Sequence, residues 1–266
     1  MTWWLLGYVA LGLGSGFIAG LFGVGGGLTI VPILLMLFKA QGFPEGELMH
    51  LSLGTAMATI VVTSISSMRA HHQHGGVRWD IFRGMAPGLV TGTLVGSLFA
   101  SGVQTDHLAI AFTAIVYWAS LQMLLDFKPK PTRQLPGFAG LLGAGGAIGG
   151  VSSLVAAGGG FLSVPFMVLC NVPIRQAVGT SAALGLPIAA AGVIGYIAGG
   201  WSVAGLPGPN LGFIYLPAFF GVVLSTVFMA PVGARLAHQL PVKQLKRAFG
   251  GMLALLATKM LWTLIG

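Results

Sequence analysis

The chain has 266 residues, 55% of them hydrophobic and 7% charged, where an average soluble domain carries about 25% charged residues. A mean hydropathy of +0.90 and repeated apolar runs of roughly 20 residues mark a polytopic membrane protein with no separate soluble domain. Thirteen Lys and Arg against five acids give a net charge of +8, which reads as basic cytoplasmic loops rather than nucleic-acid binding. No Walker A sequence (GxxxxGKS or GxxxxGKT) is present, so ATP-binding chemistry is not expected. The single cysteine, Cys170, excludes an intrachain disulfide; without a Cys/His cluster beside it, it reads as a small apolar helix residue.

The first apolar run, 3–21, starts at Trp3-Trp4 without the basic stretch of a signal peptide. It is expected to be the first membrane helix, with the Trp pair at the interface. It leads into Gly25-Gly26-Gly27 and a short apolar segment, 28–38, carrying Val31-Pro32. Glycine takes φ > 0 without steric cost, so a triplet loosens a helix and bares backbone groups. In lipid, bare backbone is tolerated only where protein or a water-lined cavity satisfies it. The run 48–68 contains Gly54-Thr55-Ala56, and the loop after it carries Arg69, Arg78 and Arg83 with His71, His72 and His74. Runs 84–101 and 107–126 follow, and Lys128-Pro129-Lys130-Pro131-Thr132-Arg133 reads as a linker. The second half holds 137–157, then Gly158-Gly159-Gly160 with Val164-Pro165 in 161–171, then 176–199 with Gly179-Thr180-Ser181, 212–233 and 245–265.

The halves match in order. The glycine triplets with their Val-Pro pairs correspond, as do Gly54-Thr55-Ala56 and Gly179-Thr180-Ser181, and Pro87 and Pro217. Gly96, Ala100, Leu108 and Phe112 correspond to Gly233, Ala237, Leu245 and Phe249. The expected organisation is a first membrane repeat at 1–127, a cytoplasmic linker at 128–135 and a second repeat at 136–266. Basic residues place the loop after 48–68, the linker, the loop with Arg175, and the loop with Arg235, Lys243, Lys246 and Arg247 inside. Segments 102–106 and 200–211, which lack Lys and Arg, go outside. Equivalent loops then lie on opposite faces. The predicted fold is an all-α polytopic membrane protein of two inverted-topology repeats, each a Gly-broken helix pair followed by three transmembrane helices. Five crossings per repeat put both termini outside. Segment 28–38 is only about 16 Å long at 1.5 Å per residue, against a bilayer core of roughly 30 Å, so each broken pair is either two crossings or a re-entrant hairpin.

Gly20-Leu21-Phe22-Gly23-Val24-Gly25-Gly26-Gly27 with Val31-Pro32, its echo at Gly158-Gly159-Gly160 with Val164-Pro165, and Asn171-Val172-Pro173 running to Ala177-Val178-Gly179-Thr180-Ser181 resemble the TauE/SafE family of bacterial permeases. Gly75-Gly76-Val77 also fits, and the resemblance covers essentially the whole chain. It implies a multi-pass protein of the bacterial inner membrane that moves a sulfur-containing organic or inorganic anion, such as sulfite, a sulfonate or sulfoacetate. Two departures make the half-sites unequal: Ala56 stands opposite Ser181, and the second motif is Ala156-Ala157-Gly158, without the preceding glycine of the first copy, Gly23.

Duplicated broken helices point to a transporter binding site. The candidate site is an anion held between Gly25, Gly26 and Gly27 and Gly158, Gly159 and Gly160. Helix starts at Leu28 and Phe161 would offer N–H groups and partial positive charge. Hydroxyls of Thr55, Thr180, Ser181, Ser152 and Ser153 are the candidate donors. Taken singly, a glycine or hydroxyl in a membrane helix is more often a packing device; the paired triplets argue for a site. His71-His72-Gln73-His74 reads as a solvated loop ahead of a metal or pH site, and His50 as interfacial. No Asp or Glu falls mid-helix to relay protons. The expected function is a secondary transporter for a small sulfur-containing anion, such as sulfite or an organosulfonate, working by alternating access as an exporter, with no cofactor and no metal. Alternatives are a carrier or channel for another small anion and a non-transport scaffold. An enzyme is not expected, because no Ser/His or HExxH arrangement lies at membrane depth. Gly92 and Gly96 form a GxxxG pair compatible with a homodimer.

Overall fold

The structure, a computed structural model, describes residues 2–22, 26–125, 133–237 and 242–265. Gly25 and residues 128–132 of the expected linker lie outside the described residues. The helices are α1 (Thr2–Phe22), α2 (Gly27–Ala40), α3 (Leu48–Gln73), α4 (Trp79–Ser101), α5 (Thr105–Leu124), α6 (Phe138–Val155), α7 (Gly160–Leu169), α8 (Ile174–Gly200), α9 (Leu216–Ala237) and α10 (Val242–Ile265). A two-stranded ribbon, β1 (Asn210–Leu211) and β2 (Ile214–Tyr215), pairs antiparallel between α8 and α9. Among the described residues, five helices are long and apolar enough to cross a membrane: α3, α4, α5, α6 and α8. The chain is an all-α polytopic membrane protein.

α1 and α2 form one folded-back pair. Tyr8, near the start of α1, meets Phe38, near the end of α2, at a ring-centroid distance of 6.3 Å, and Gln41 Nε2 donates to the Tyr8 hydroxyl at 2.6 Å. α6 and α7 fold back likewise, and the Arg133 N–H just ahead of α6 donates to Leu169 O at the end of α7 at 3.1 Å. The two pairs enter from opposite ends of the molecule. The first opens at the Glu47 end of α3, where Tyr8 also touches Tyr215. The second opens at the other end, where Leu141 packs on Gly84 near the start of α4.

In lipid, association of helices rests on close packing rather than on hydrophobic burial, and two small-residue seams supply it. α1 lies along α9: a β-carbon at Gly12 would lie 2.4 Å from Val222 O, and one at Gly16 2.8 Å from Thr226 O. α6 lies along α4: a β-carbon at Gly88 would lie 2.0 Å from Leu142 O, and one at Gly92 2.1 Å from Gly146 O. The first helix of each half thus packs on the fourth helix of the other half. The Gly92/Gly96 pair is used inside the chain, against α6.

Two boundaries differ from the sequence reading. α3 continues to Gln73, so Arg69, His71 and His72 lie on its last turns and not in a loop. Polar side chains past the apolar stretch are competent helix formers, and basic side chains complement the carbonyl end of a helix. The helix closes at Gly75, with φ +64. Residues 212–215, expected to open a helix, belong to the ribbon and its turn; Gly212 has φ +56 and Phe213 N donates to Tyr196 O at 3.2 Å.

Candidate functional site

The tips of the two folded-back pairs meet in the buried middle. Gly26 (φ 73) and Gly159 (φ 76) sit immediately before α2 and α7 in the left-handed region, where a β-carbon would be strained. The sequence chose glycine for that reason. Gly26 O accepts from the N–H groups of Thr29 and Ile30, both at 3.0 Å; Gly159 O accepts from Leu162 at 3.0 Å and Ser163 at 2.8 Å. The N–H groups of Gly27, Leu28, Gly160 and Phe161 therefore have no helical acceptor and carry the positive ends of the two helices. Pro32 and Pro165 have no N–H to give Leu28 O and Phe161 O, so each start also bares a carbonyl.

The contact between tips is tight. A β-carbon at Gly27 would lie 1.7 Å from Ala156 O. Ala156 ends α6 at φ 44, ψ 42, a conformation uncommon for a non-glycine residue. Ile60 of α3 stands beside both breaks: its Cδ1 would be 2.8 Å from a Gly27 β-carbon, and its Cγ2 3.8 Å from one at Gly158. Gly158 also backs onto Gly185 of α8, whose β-carbon position is 3.0 Å from Ser64 Oγ.

The five candidate hydroxyls separate into different environments. Thr55 Oγ1 accepts from Tyr215 N at 3.0 Å, and Thr180 Oγ1 accepts from Arg78 N at 2.9 Å. Ser181 Oγ accepts from Ser163 Oγ at 2.8 Å. Ser153 Oγ donates to Gly150 O at 2.7 Å. Ser152 Oγ is fully buried and has no hydrogen-bond partner among the described residues. A β-carbon at Gly159 would lie 3.8 Å from it.

His50 is a buried residue whose setting the sequence did not reveal. It is 4% exposed, with Nε2 2.9 Å from Val103 O and 3.2 Å from Ala100 O. Its Nδ1 lies 3.1 Å from Glu47 Oε2, and its ring stacks on Phe213 at 4.9 Å. It ties the start of α3 to the end of α4. Its partners lie some fifty residues away in sequence, which no local pattern displays.

Charge gathers at the opposite end. Arg69 lies there on α3, Arg78 and Arg83 at the start of α4, Arg133 ahead of α6 and Arg175 in the first turn of α8. Arg78 Nε donates to Asp80 Oδ1 at 2.8 Å, and this hydrogen bond holds the guanidinium above its ordinary range. A cavity of about 390 Å³ runs along this half of α3, lined by Val62, Ile65, Arg69, Gln73 and Val227 of α9 among others. His72 meets Trp79 edge-on at 5.4 Å, and His74 Nδ1 lies 2.8 Å from Ala70 O.

Residues 8–260 match the family model described as Sulfite exporter TauE/SafE. A probable membrane transporter protein of Haemophilus influenzae is 37% identical over 92% of this chain and 94% of its own length. A probable membrane transporter protein of Methanocaldococcus jannaschii, MJ0441, is 22% identical over 95% of this chain and 94% of its own. The probable membrane transporter protein YdhB of Bacillus subtilis is 26% identical over 88% and 90%. No solved structure matches the chain. The chain is an integral, multi-pass membrane transporter and belongs to the TauE/SafE sulfite exporter family.

Proposed function

We propose that the protein exports a small sulfur-containing anion, such as sulfite or an organosulfonate, by alternating access between two inverted repeats. One observation carries the reading: two glycine-capped helix starts, entering from opposite ends, meet at Gly27 and Ala156. Bare N–H groups at a helix start favour an anion, and burial strengthens that attraction. A site built from dipoles holds an anion without the tight grip of a buried Arg, which suits a cargo that must leave. The basic residues around Arg69 and Arg78 raise the local concentration of anions at the end that the positive-inside rule assigns to the cytoplasm. An inside-negative potential favours anion exit by about 2.3 kcal/mol per charge at 100 mV.

Reconstitution into liposomes tests this. Saturable flux of sulfite or sulfoacetate with counterflow supports a carrier. Non-saturating flux without counterflow points to a channel. Silence across sulfite, sulfate, thiosulfate, taurine, sulfoacetate, acetate and chloride, with a flat thermal-unfolding panel on the same anions, would discard the sulfur-anion reading.

A further inference from the structure

We propose that the two breaks are unequal partners, and that Ser152 with the start of α7 forms the half-site that coordinates the anion, while the first break only closes it. The inference rests on the anion-carrier reading above and adds which residue selects the cargo. Of the five candidate hydroxyls, Ser152 is the one with neither a donor nor an acceptor among the described residues: Ser153 donates to Gly150 O, Ser181 accepts from Ser163, and Thr55 and Thr180 accept from Tyr215 N and Arg78 N, each held at the segment that enters α9 or α4. A serine inside a helix ordinarily donates back to a carbonyl three or four residues earlier. Ser52 does so to Leu48 O at 2.7 Å, and Thr59 does so to Ala56 O at 2.7 Å. Ser152 does not, although it is 0% exposed. A buried hydroxyl without a partner is costly, and a ligand that accepts its proton removes the cost.

The direction of the side chain fits. The seventh residue before the central glycine is Ser152 in the second repeat and Ala19 in the first. A β-carbon at Gly159 would lie 3.8 Å from Ser152 Oγ; one at Gly26 would lie 3.4 Å from Ala19 Cβ. The same position thus presents a hydroxyl to one helix start and a methyl to the other. At the first break the carbonyl of Gly26 is moreover held by the Thr29 hydroxyl at 2.7 Å, and Leu162 takes the corresponding place after Gly159. The Ser152 O–H and the N–H groups of Gly160 and Phe161 make three donors, which suits a group with several acceptor oxygens and no proton to give. Two other buried hydroxyls, Thr93 and Thr113, also have no partner among the described residues. Thr93 faces Gly149 in the α4–α6 seam and Thr113 lies on α5; neither is on a helix that leads into a break.

The test uses purified full-length protein, titrated with sodium sulfite and with sulfoacetate and followed by thermal unfolding. Ser152→Ala is expected to weaken the apparent affinity at least tenfold, and Ala19→Ser to leave it within twofold of wild type. Because the hydroxyl has no partner among the described residues, Ser152→Ala without ligand is expected to melt at or above the wild-type temperature, which a structural role would not allow. Wild-type affinity in Ser152→Ala, or an equal effect of Ala19→Ser, would overturn the asymmetry and leave the carrier reading standing. Ligand-free Ser152→Ala melting well below wild type would assign the hydroxyl to packing and overturn the proposal. A wild-type protein that responds to neither anion, in unfolding or in flux, would overturn the carrier reading itself.

Discussion

Thr55 Oγ1 accepts a hydrogen bond from the backbone N–H of Tyr215 at 3.0 Å, across the boundary between the two halves of the chain. The matching threonine, Thr180, accepts from Arg78 N at 2.9 Å. The glycine before each threonine is equally matched: a β-carbon at Gly54 would lie 2.5 Å from Phe213 O, and one at Gly179 2.4 Å from Gly76 O. In each half, a Gly-Thr pair receives the segment that leads into the fourth helix of the other half. The glycine admits the backbone and the threonine satisfies its donor.

Removing either acceptor strands the backbone N–H that it serves. Thr55→Val is expected to lower stability by about 1–3 kcal/mol, the cost of an unsatisfied buried donor, while Thr55→Ser keeps the oxygen and costs less. Thr180→Val should follow the same order with a smaller loss, because Arg78 is only partly buried. Thermal unfolding of the four variants in one detergent checks the ranking. A Thr55→Val protein as stable as wild type would remove the hydrogen bond from the account of the fold.

At the tips, Gly27→Ala puts a methyl 1.7 Å from Ala156 O, a distance only backbone movement can relieve. The expected outcome is a protein that inserts in the membrane but transports at under about a tenth of the wild-type rate, since misplacement by about 1 Å can cost a hundredfold. Gly42→Ala is the complementary control: Gly42 has positive φ, +74, where Gly27 is helical, and nothing lies within 4 Å of its β-carbon position among the described residues. It should lose about 1 kcal/mol of stability and keep transport. Flux per inserted molecule, measured on both, separates contact at the tips from backbone strain.

The sequence made the breaks legible because glycine triplets interrupt helices wherever they fall. The helices after them start at Gly27 and Gly160, one residue before the expected Leu28 and Phe161. The correspondence of Gly54-Thr55 with Gly179-Thr180 was equally readable, but not its use. A hydroxyl in a string of letters reads as a donor to a ligand; that Thr55 and Thr180 accept from backbone depends on segments 160 and 102 residues away. The ribbon at Asn210–Tyr215 was hidden for another reason. Phe213, Ile214 and Tyr215 are as apolar as the helix they precede, and hydropathy alone does not distinguish a tucked-in strand from a helix start. His50 reads as interfacial from its place near an outer helix start, and only the packing of α3 on the end of α4 buries it.

The seam between α1 and α9 offers a test of packing within one helix. Gly12 and Gly14 are two residues apart and face opposite ways. A β-carbon at Gly12 would lie 2.0 Å from Ser225 Oγ and 2.4 Å from Val222 O; at Gly14 nothing lies within 4 Å among the described residues. Gly12→Ala is expected to destabilise by about 1–3 kcal/mol, in the range of overpacked cores, whereas Gly14→Ala should be neutral or slightly stabilising, because alanine is the better helix former by about 1 kcal/mol. Equal melting temperatures would mean that α1 does not lie along α9 in this register.

His50 Nε2 faces two carbonyl oxygens, Val103 O at 2.9 Å and Ala100 O at 3.2 Å, so it carries the ring proton there and donates. Ala100 O also accepts from Val103 N at 3.1 Å, which leaves Val103 O as the group that depends on the histidine. His50→Ala strands that carbonyl and removes the ring stacked on Phe213 at 4.9 Å; a loss of about 1–3 kcal/mol is expected from the hydrogen bond. With the ring proton on Nε2, Nδ1 has no hydrogen to give Glu47, 28% exposed and 3.1 Å away, and even a doubly protonated ring would gain little, because pairs open to solvent are worth about 0–1 kcal/mol. Glu47→Gln should therefore cost under about 1 kcal/mol. Thermal unfolding of both variants decides between the two contacts. A Glu47→Gln loss as large as that of His50→Ala would make the carboxylate, and not the carbonyl of Val103, the partner that holds the start of α3 against the end of α4.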